Sequence, residues 1–319
     1  MCAAVWHGVR VKNSWISAAR RRLSRRSFAV AAASIMATSV VVVGGGTAAA
    51  QPDGNRYVSL GDSFTSGPNY DPFGGCPQLP YAWPKQFAAQ WGLGNDWFDA
   101  SCSGAVVDGR GTNTFGQQID AASRSMGSRT ELVTIQFAGN ESYGGSGRSA
   151  AWSVGLCVLD FVNGCDNAAD PTSVRPDAIT SAELQRRLTA GDSGNIIGRI
   201  RQEAPNARIA IVGYPTVLPS DTSVCLPING LEVPDFQPRA AYARTVLDRI
   251  EVAQRQAAAA LGVEFWSLRQ ATAGHDACQP LGQRWITRIG DFHEELLPFH
   301  PTRTGYGAQA NALTAYRTR

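Results

Sequence analysis

A serine hydroxyl becomes a nucleophile when a base takes its proton and hydrogen-bond donors meet the oxyanion that forms on its target. One serine in this chain has a setting for that work. In Tyr57-Val58-Ser59-Leu60-Gly61-Asp62-Ser63-Phe64, a short apolar run ends in a Gly and a polar cluster. That pattern reads as a buried strand and its carboxyl end. Ser63 then stands at the edge where parallel α/β sheets hold their ligands. The alternative for Ser63 is a cap that opens the next helix.

A partner base is found by elimination. Of the four histidines, His7 falls in the N-terminal leader described below. His275 lies three residues from Cys278, and His293 sits in the charged run Asp291-Phe292-His293-Glu294-Glu295. His300 lies between Pro298 and Pro301, just ahead of Gly305-Tyr306-Gly307 and a closing helix. Prolines fix the chain locally, and a general base must be held in orientation. Two small-residue turns follow other strands: Cys102-Ser103-Gly104-Ala105 and Phe137-Ala138-Gly139-Asn140-Glu141. A Gly offers a bare backbone N–H and an Asn a side-chain amide. Either alone is a turn; together, on both sides of the Ser63 strand, Gly104 and Asn140 would make an oxyanion hole.

Gly61-Asp62-Ser63, Gly104, Gly139-Asn140 and His300-Pro301 match, in order, the four blocks of the SGNH hydrolases, also called GDSL lipases and esterases. The chain resembles that family over residues 56–310. A second Gly-Asp-Ser, at Gly191-Asp192-Ser193, follows a helical pattern and is set aside as a decoy. Gly-x-Ser-x-Gly is absent, so the chain does not look like an α/β-hydrolase with a nucleophile elbow. The resemblance implies an α/β fold, a flavodoxin-like three-layer α/β/α sandwich with a central parallel sheet. It implies Ser63 as nucleophile, His300 as base, and the amides of Ser63 and Gly104 with the Asn140 side chain as the oxyanion hole. No metal or cofactor is expected. The exported, six-cysteine form looks like the family's actinobacterial branch.

One position departs from the pattern. The family usually places an Asp three residues before the histidine, and here that residue is Leu297. Some members lack the Asp and use a backbone carbonyl. The expectation is therefore a Ser63–His300 dyad with the Leu297 carbonyl accepting from the imidazole; Asp291, Glu294 and Glu295 are the alternatives.

The elements that must position these residues alternate in type. Strands are expected at 56–61, 97–100, 131–137, 208–212 and 263–266, and helices at 81–91, 181–203, 239–261 and 306–316. Strand and helix in alternation give a parallel sheet covered on both faces. Residues 67–80, 144–180, 217–238 and 270–298 read as long loops, which commonly build sites. No helical stretch reads as apolar enough to form a membrane lid.

The totals bound the rest. The chain has 319 residues, 44% hydrophobic and 17% charged, a globular composition. Residues 1–50 hold seven of the 29 bases and none of the 26 acids, so the remainder carries 22 bases against 26 acids, a net of −4. That balance gives no electrostatic reason to bind nucleic acid. The basic cluster 20–26, the uncharged apolar run 29–43 and Ala48-Ala49-Ala50 have the three-part build of a secretory signal, removed to leave one domain over 51–319. Ser24-Arg25-Arg26-Ser27-Phe28-Ala29-Val30 also resembles a twin-arginine export motif.

Beyond the leader six of the seven cysteines remain, an even number that in an exported protein suggests three disulfides. Consecutive pairing is expected, Cys76–Cys102, Cys157–Cys165 and Cys225–Cys278, because short loops close at the least entropy cost. No pair has the Cys-x-x-Cys spacing that zinc sites favour.

The function expected is a secreted, monomeric serine esterase or lipase, acting on a small-molecule or lipid ester with transient contact to lipid surfaces. A carbohydrate acetyl esterase is the second reading, with Trp83, Trp91, Trp97, Trp152, Trp266 and Trp285 as stacking platforms for sugars. The third is a non-catalytic binding protein on the same fold, which the missing Asp would favour and the presence of all four blocks opposes.

Overall fold

The structure is a computed structural model that describes residues 53–68, 75–109, 113–160, 162–166, 170–220, 224–225, 237, 239–289, 291 and 297–319. The leader 1–50 lies outside the described residues, as do His293, Glu294 and Glu295.

Five parallel strands form one sheet: β1 (Tyr57–Gly61), β2 (Trp97–Asp99), β3 (Leu132–Gln136), β4 (Arg208–Val212) and β5 (Glu264–Trp266). Their order across the sheet is β2-β1-β3-β4-β5, the flavodoxin-like winding. β1 and β3 lie in the middle and are buried along their whole length, which is why both read as nearly unbroken apolar runs. Register pairs Tyr57 with Leu132 and Gly61 with Gln136, so the two strands end level.

The period-two alternation splits the side chains between two cores. Tyr57, Leu132, Ala210 and Val212 face a layer formed by α2 (Trp83–Trp91) and α8 (Arg303–Arg317), through Trp83, Phe87, Tyr306 and Leu313. Val58, Leu60, Val133, Ile135, Ile209 and Ile211 face the opposite layer. That layer holds α3 (Phe115–Ala122), α4 (Ala150–Leu159), α5 (Ser181–Ala190), α6 (Ile196–Glu203) and α7 (Ala241–Leu261). The sandwich implied by the resemblance is the fold observed.

Three differences from the sequence expectations have physical causes. The stretch 181–203 is two helices. The chain breaks at Gly191, and Asn195 caps α6 by accepting from the Gly198 amide at 2.7 Å. The decoy Gly191-Asp192-Ser193 is that break. Residues 144–180, expected to be loop, contain α4, capped by Ser149, which accepts from the Trp152 amide at 3.2 Å. Its sequence, Ala-Ala-Trp-Ser-Val-Gly-Leu-Cys-Val-Leu, holds no charged residue and is apolar on all sides, so it shows no helical periodicity. α3 is a helix outside the expected set, although Thr114 and Gln117 form a capping box at its start.

Disulfides join Cys76 to Cys102, Cys157 to Cys165, and Cys225 to Cys278. The first ties the loop after Ser63 to the turn that carries Gly104.

Candidate active site

β1 ends at Gly61, and the edge of the sheet is sealed there by a side chain. The Gln118 amide accepts from the Gly61 N–H and donates to the Gly61 carbonyl, both at 2.8 Å. A Cβ on Gly61 would sit 2.1 Å from Thr65 Oγ1, so no other residue fits without displacing that side chain. The next residue, Asp62, caps a single helical turn, α1 (Ser63–Ser66), accepting from the Phe64 amide at 2.9 Å. Ser63 is the first residue of that turn, and its N–H therefore has no helical acceptor. Tyr306 of α8 donates to the Ser63 carbonyl at 3.0 Å, which fixes the turn from behind.

Across the cleft, His300 Nε2 lies 2.7 Å from Ser63 Oγ. His300 Nδ1 lies 3.0 Å from the carbonyl of Pro298. A carbonyl only accepts, so Nδ1 carries the proton and Nε2 is free to accept from the serine hydroxyl. An imidazole so held can take a hydroxyl proton. Burial pushes the His300 pKa down to about 4, while the Pro298 carbonyl pulls the other way. The imidazole is thus neutral, the form able to act as a base, well into the acid range.

The expected acceptor, the Leu297 carbonyl, is corrected to that of Pro298. Phe299 adopts a left-handed conformation, φ 64°, which turns the Pro298 carbonyl back toward the ring two residues on. The Leu297 carbonyl faces Thr287 instead, accepting from its hydroxyl at 2.9 Å. Thr287 organises the whole turn: its Oγ1 accepts from the His300 amide at 3.1 Å, and its backbone N–H donates to the His300 carbonyl at 2.8 Å. Asp291 does not serve the imidazole. Its carboxylate is engaged by the buried Arg284 guanidinium and by the Arg288 amide at 2.6 Å. His275, the other histidine described, stacks on Trp285 with ring centroids 3.5 Å apart, outside the residues that line the cleft.

Gly104 and Asn140 line the same cleft as Ser63. Gly104 sits at φ 75°, where a side chain is strained although a Cβ would meet nothing within 4 Å. Its amide has no acceptor among the described residues. Asn140 gives one Nδ2 hydrogen to the Ala105 carbonyl at 3.1 Å, which leaves the second for the cleft. The three residues that carry these donors, Ser63, Gly104 and Asn140, line one cleft with the Ser63 hydroxyl.

Two buried acids lock these turns together, and neither was singled out from the sequence. Tyr214, just beyond β4, donates its hydroxyl to Asp62 Oδ2 and accepts from the Gly139 amide at 2.8 Å. It joins the turn after β1 to the turn after β3. Burial raises the Asp62 pKa to about 7, against the hydrogen bonds from Tyr214 and Phe64. Glu141 accepts from the Val107 amide at 2.8 Å and so joins the turn after β3 to the loop after β2; burial pushes its carboxyl up as well. Phe64 packs against both Tyr214 and His300, with ring centroids 4.8 Å away in each case. The signal that could have found Tyr214 is its place: it follows a strand at the carboxyl edge, like the other site residues.

The cleft has a volume of about 380 Å³. Beyond the polar end, its walls come from α4 (Ala151, Val154, Gly155) and α7 (Val246, Leu247, Ile250). Among the described lining residues, the titratable ones are Asp62, Tyr214 and His300. Of the tryptophans, Trp152 lines the cleft, whereas Trp83 and Trp266 are core residues. No group of three or more His, Cys, Asp or Glu side chains among the described residues is arranged to hold a metal.

Comparison with known proteins agrees with this fold. The chain is 27% identical to Lipase 1 of Streptomyces coelicolor over 266 residues, 81% of this chain and 85% of that one. It is 25% identical to Lipase 2 of the same organism over 260 residues, covering 78% and 81%. Its fold superposes on a phospholipase A1 from Streptomyces albidoflavus with a TM-score of 0.57 at 25% identity, covering 82% of this chain and 99% of that one. An extracellular lipase from Streptomyces rimosus gives the same TM-score at 24% identity, with the same coverage. Residues 59–308 match the model of the GDSL-like lipase/acylhydrolase family, a span that takes in Ser63, Gly104, Asn140 and His300, and the chain belongs to that family.

Proposed function

We propose that this chain is an exported serine esterase or lipase that hydrolyses carboxylic esters through an acyl-enzyme on Ser63. The observation that supports it most is the 2.7 Å contact between Ser63 Oγ and His300 Nε2, with the three donor-bearing residues lining the same cleft. Ser63 Oγ attacks the ester carbonyl as His300 Nε2 takes its proton. The oxyanion of the tetrahedral intermediate is met by the amides of Ser63 and Gly104 and by Asn140 Nδ2. Collapse expels the alcohol, which takes the proton from His300, and leaves the acyl group on Ser63. Water then enters, gives its proton to His300 and repeats the attack. The carboxylic acid leaves and the proton returns to Ser63.

The Pro298 carbonyl orients the imidazole but carries no full charge. It supports the imidazolium less than a carboxylate would. The uncharged wall between α4 and α7 suits the hydrocarbon of an acyl chain, in keeping with the names of the Streptomyces relatives. Export is supported by the build of residues 1–50 and by the three disulfides.

A p-nitrophenyl ester series of increasing acyl length tests the proposal. Wild type should prefer chains longer than acetyl, and Ser63→Ala should lose about 10⁴- to 10⁶-fold in kcat. Equal turnover by the two proteins would remove Ser63 from the reaction. A preference for acetyl on glycans over every longer acyl ester would favour the carbohydrate esterase instead.

A further inference from the structure

Helix α4 has an outer face that water does not explain. Among the described residues six large apolar side chains are exposed. Trp152 (61%), Leu156 (37%) and Leu297 (46%) are exposed at the rim of the cleft, and Val162 (80%) follows the C-terminal end of α4. Only Val252 and Leu281 fall outside this group. Trp152, Leu156 and Leu159 recur at helical spacing, so they share one side of α4. A solvent-facing helix surface normally carries charge, and α4 has none. Apolar surface gathered at one place marks a contact site, and a Trp among it suits the boundary between water and hydrocarbon.

Charge decides what kind of surface this face meets. Arg148, beside the N-cap, is paired with Asp170, and Arg239 donates to the Val162 carbonyl at 3.4 Å. The first is neutralised by its partner; the second is exposed and has no carboxylate partner among the described residues, but one cation is not the basic cluster that draws an anionic membrane. Both ends of α4 are also fastened. The amides of Ala150 and Ala151 donate to the carbonyls of Glu141 and Gly139 at 2.9 and 2.8 Å, and Cys157 is bonded to Cys165. The helix is a fixed rim rather than a hinged cover, and its first turn is bonded directly to the turn that carries Asn140.

We propose that the apolar face of α4, with Leu297 across the cleft and Val162 beyond, seats the protein on an uncharged lipid surface. The ester then passes from the aggregate into the cleft without crossing water. This rests on the ester-hydrolase proposal for what enters the cleft, but the seating itself is measurable without turnover.

The test uses the protein as its host releases it, carrying Ser63→Ala, and extruded vesicles of a diether phosphatidylcholine, which has no ester to cleave. Co-sedimentation should show binding. The pair Trp152→Gln and Leu156→Gln should weaken it about tenfold or more, Val162→Gln less, and Leu281→Gln not at all. The proposal is overturned if the rim pair binds as its parent does, or if Leu281→Gln weakens binding equally. It is also overturned if binding needs anionic phosphatidylglycerol. Should the rim pair fail to fold by circular dichroism, vesicles with brominated acyl chains give the answer on the parent: quenching of tryptophan fluorescence supports the seating, and its absence overturns it. Turnover of soluble p-nitrophenyl acetate by wild type separates the two ideas. Its loss on Ser63→Ala upholds the hydrolase whatever the vesicles show.

Discussion

At the scale of single residues, the neutral state of His300 is the feature with the clearest consequence. Its pKa is lowered to about 4 by burial, so the base form is present at all pH values above that. As pH falls, protonation of Nε2 removes the acceptor of the Ser63 hydroxyl. The acid limb of kcat/KM should therefore fall near pH 4 rather than near the ordinary histidine value of about 6.5. A limb centred at the ordinary value would mean that the imidazole is solvated in the working enzyme. Tyr214 is the second residue to question, because its hydroxyl holds Asp62 and the Gly139 amide at once. Tyr214→Phe leaves both without that partner and loosens the turn carrying Asn140. The expected result is about a 10- to 100-fold fall in kcat with KM little changed, consistent with one or two buried hydrogen bonds. A change in KM alone would place Tyr214 in substrate binding. Ser63, Gly104, Asn140 and His300, which line one cleft, could be proposed from the sequence because reactive chemistry is tied to residue type. Tyr214 could not, because its role is a contact with Asp62 that lies 152 residues away in the chain.

At the scale of elements, the strap that carries His300 depends on a residue far from any motif. Residues 285–287 and 299–302 run alongside one another: Thr302 donates to the Trp285 carbonyl, Phe299 to the Thr287 carbonyl, and Thr287 to the His300 carbonyl. The Thr287 hydroxyl completes the lattice with Leu297 and the His300 amide. Thr287→Val keeps the shape but removes the hydroxyl. It should lower unfolding free energy by about 1–3 kcal/mol, read from urea midpoints, and depress kcat as the imidazole loses its orientation. An unchanged midpoint and an unchanged kcat would show that the backbone ladder suffices. The departure at Leu297 was visible in the sequence, but the acceptor was read one residue too early. The left-handed turn at Phe299, a residue type that rarely adopts it, decides between the two carbonyls. α4 was hidden for the opposite reason: apolar on every side, it has no periodicity to read, and the apolar face it shows to solvent appears only once the core is known.

At the scale of the whole molecule, the fold explains why residues 237 positions apart can meet. The order β2-β1-β3-β4-β5 puts the carboxyl ends of β2, β1 and β3 side by side, so the turns bearing Gly104, Ser63 and Asn140 share one edge. α8 packs against α2 on the far face and brings its N-terminal approach, with His300, over the same edge. The alternation of strand and helix made this sandwich legible, since parallel strands need covering helices and right-handed crossovers. The carboxyl edge as the place of the site followed from the rule for parallel sheets, whereas strand order followed only from resemblance to the family, because it is not encoded locally. The claim on which everything else depends is that Ser63 is the one activated hydroxyl at this edge, and covalent labelling addresses it directly. Wild type treated with a fluorophosphonate and mapped by peptide mass should carry one adduct, on Ser63, with the rate of labelling falling sharply in His300→Ala. An unlabelled Ser63 in folded protein, or an adduct on another residue such as Ser193, would contradict it.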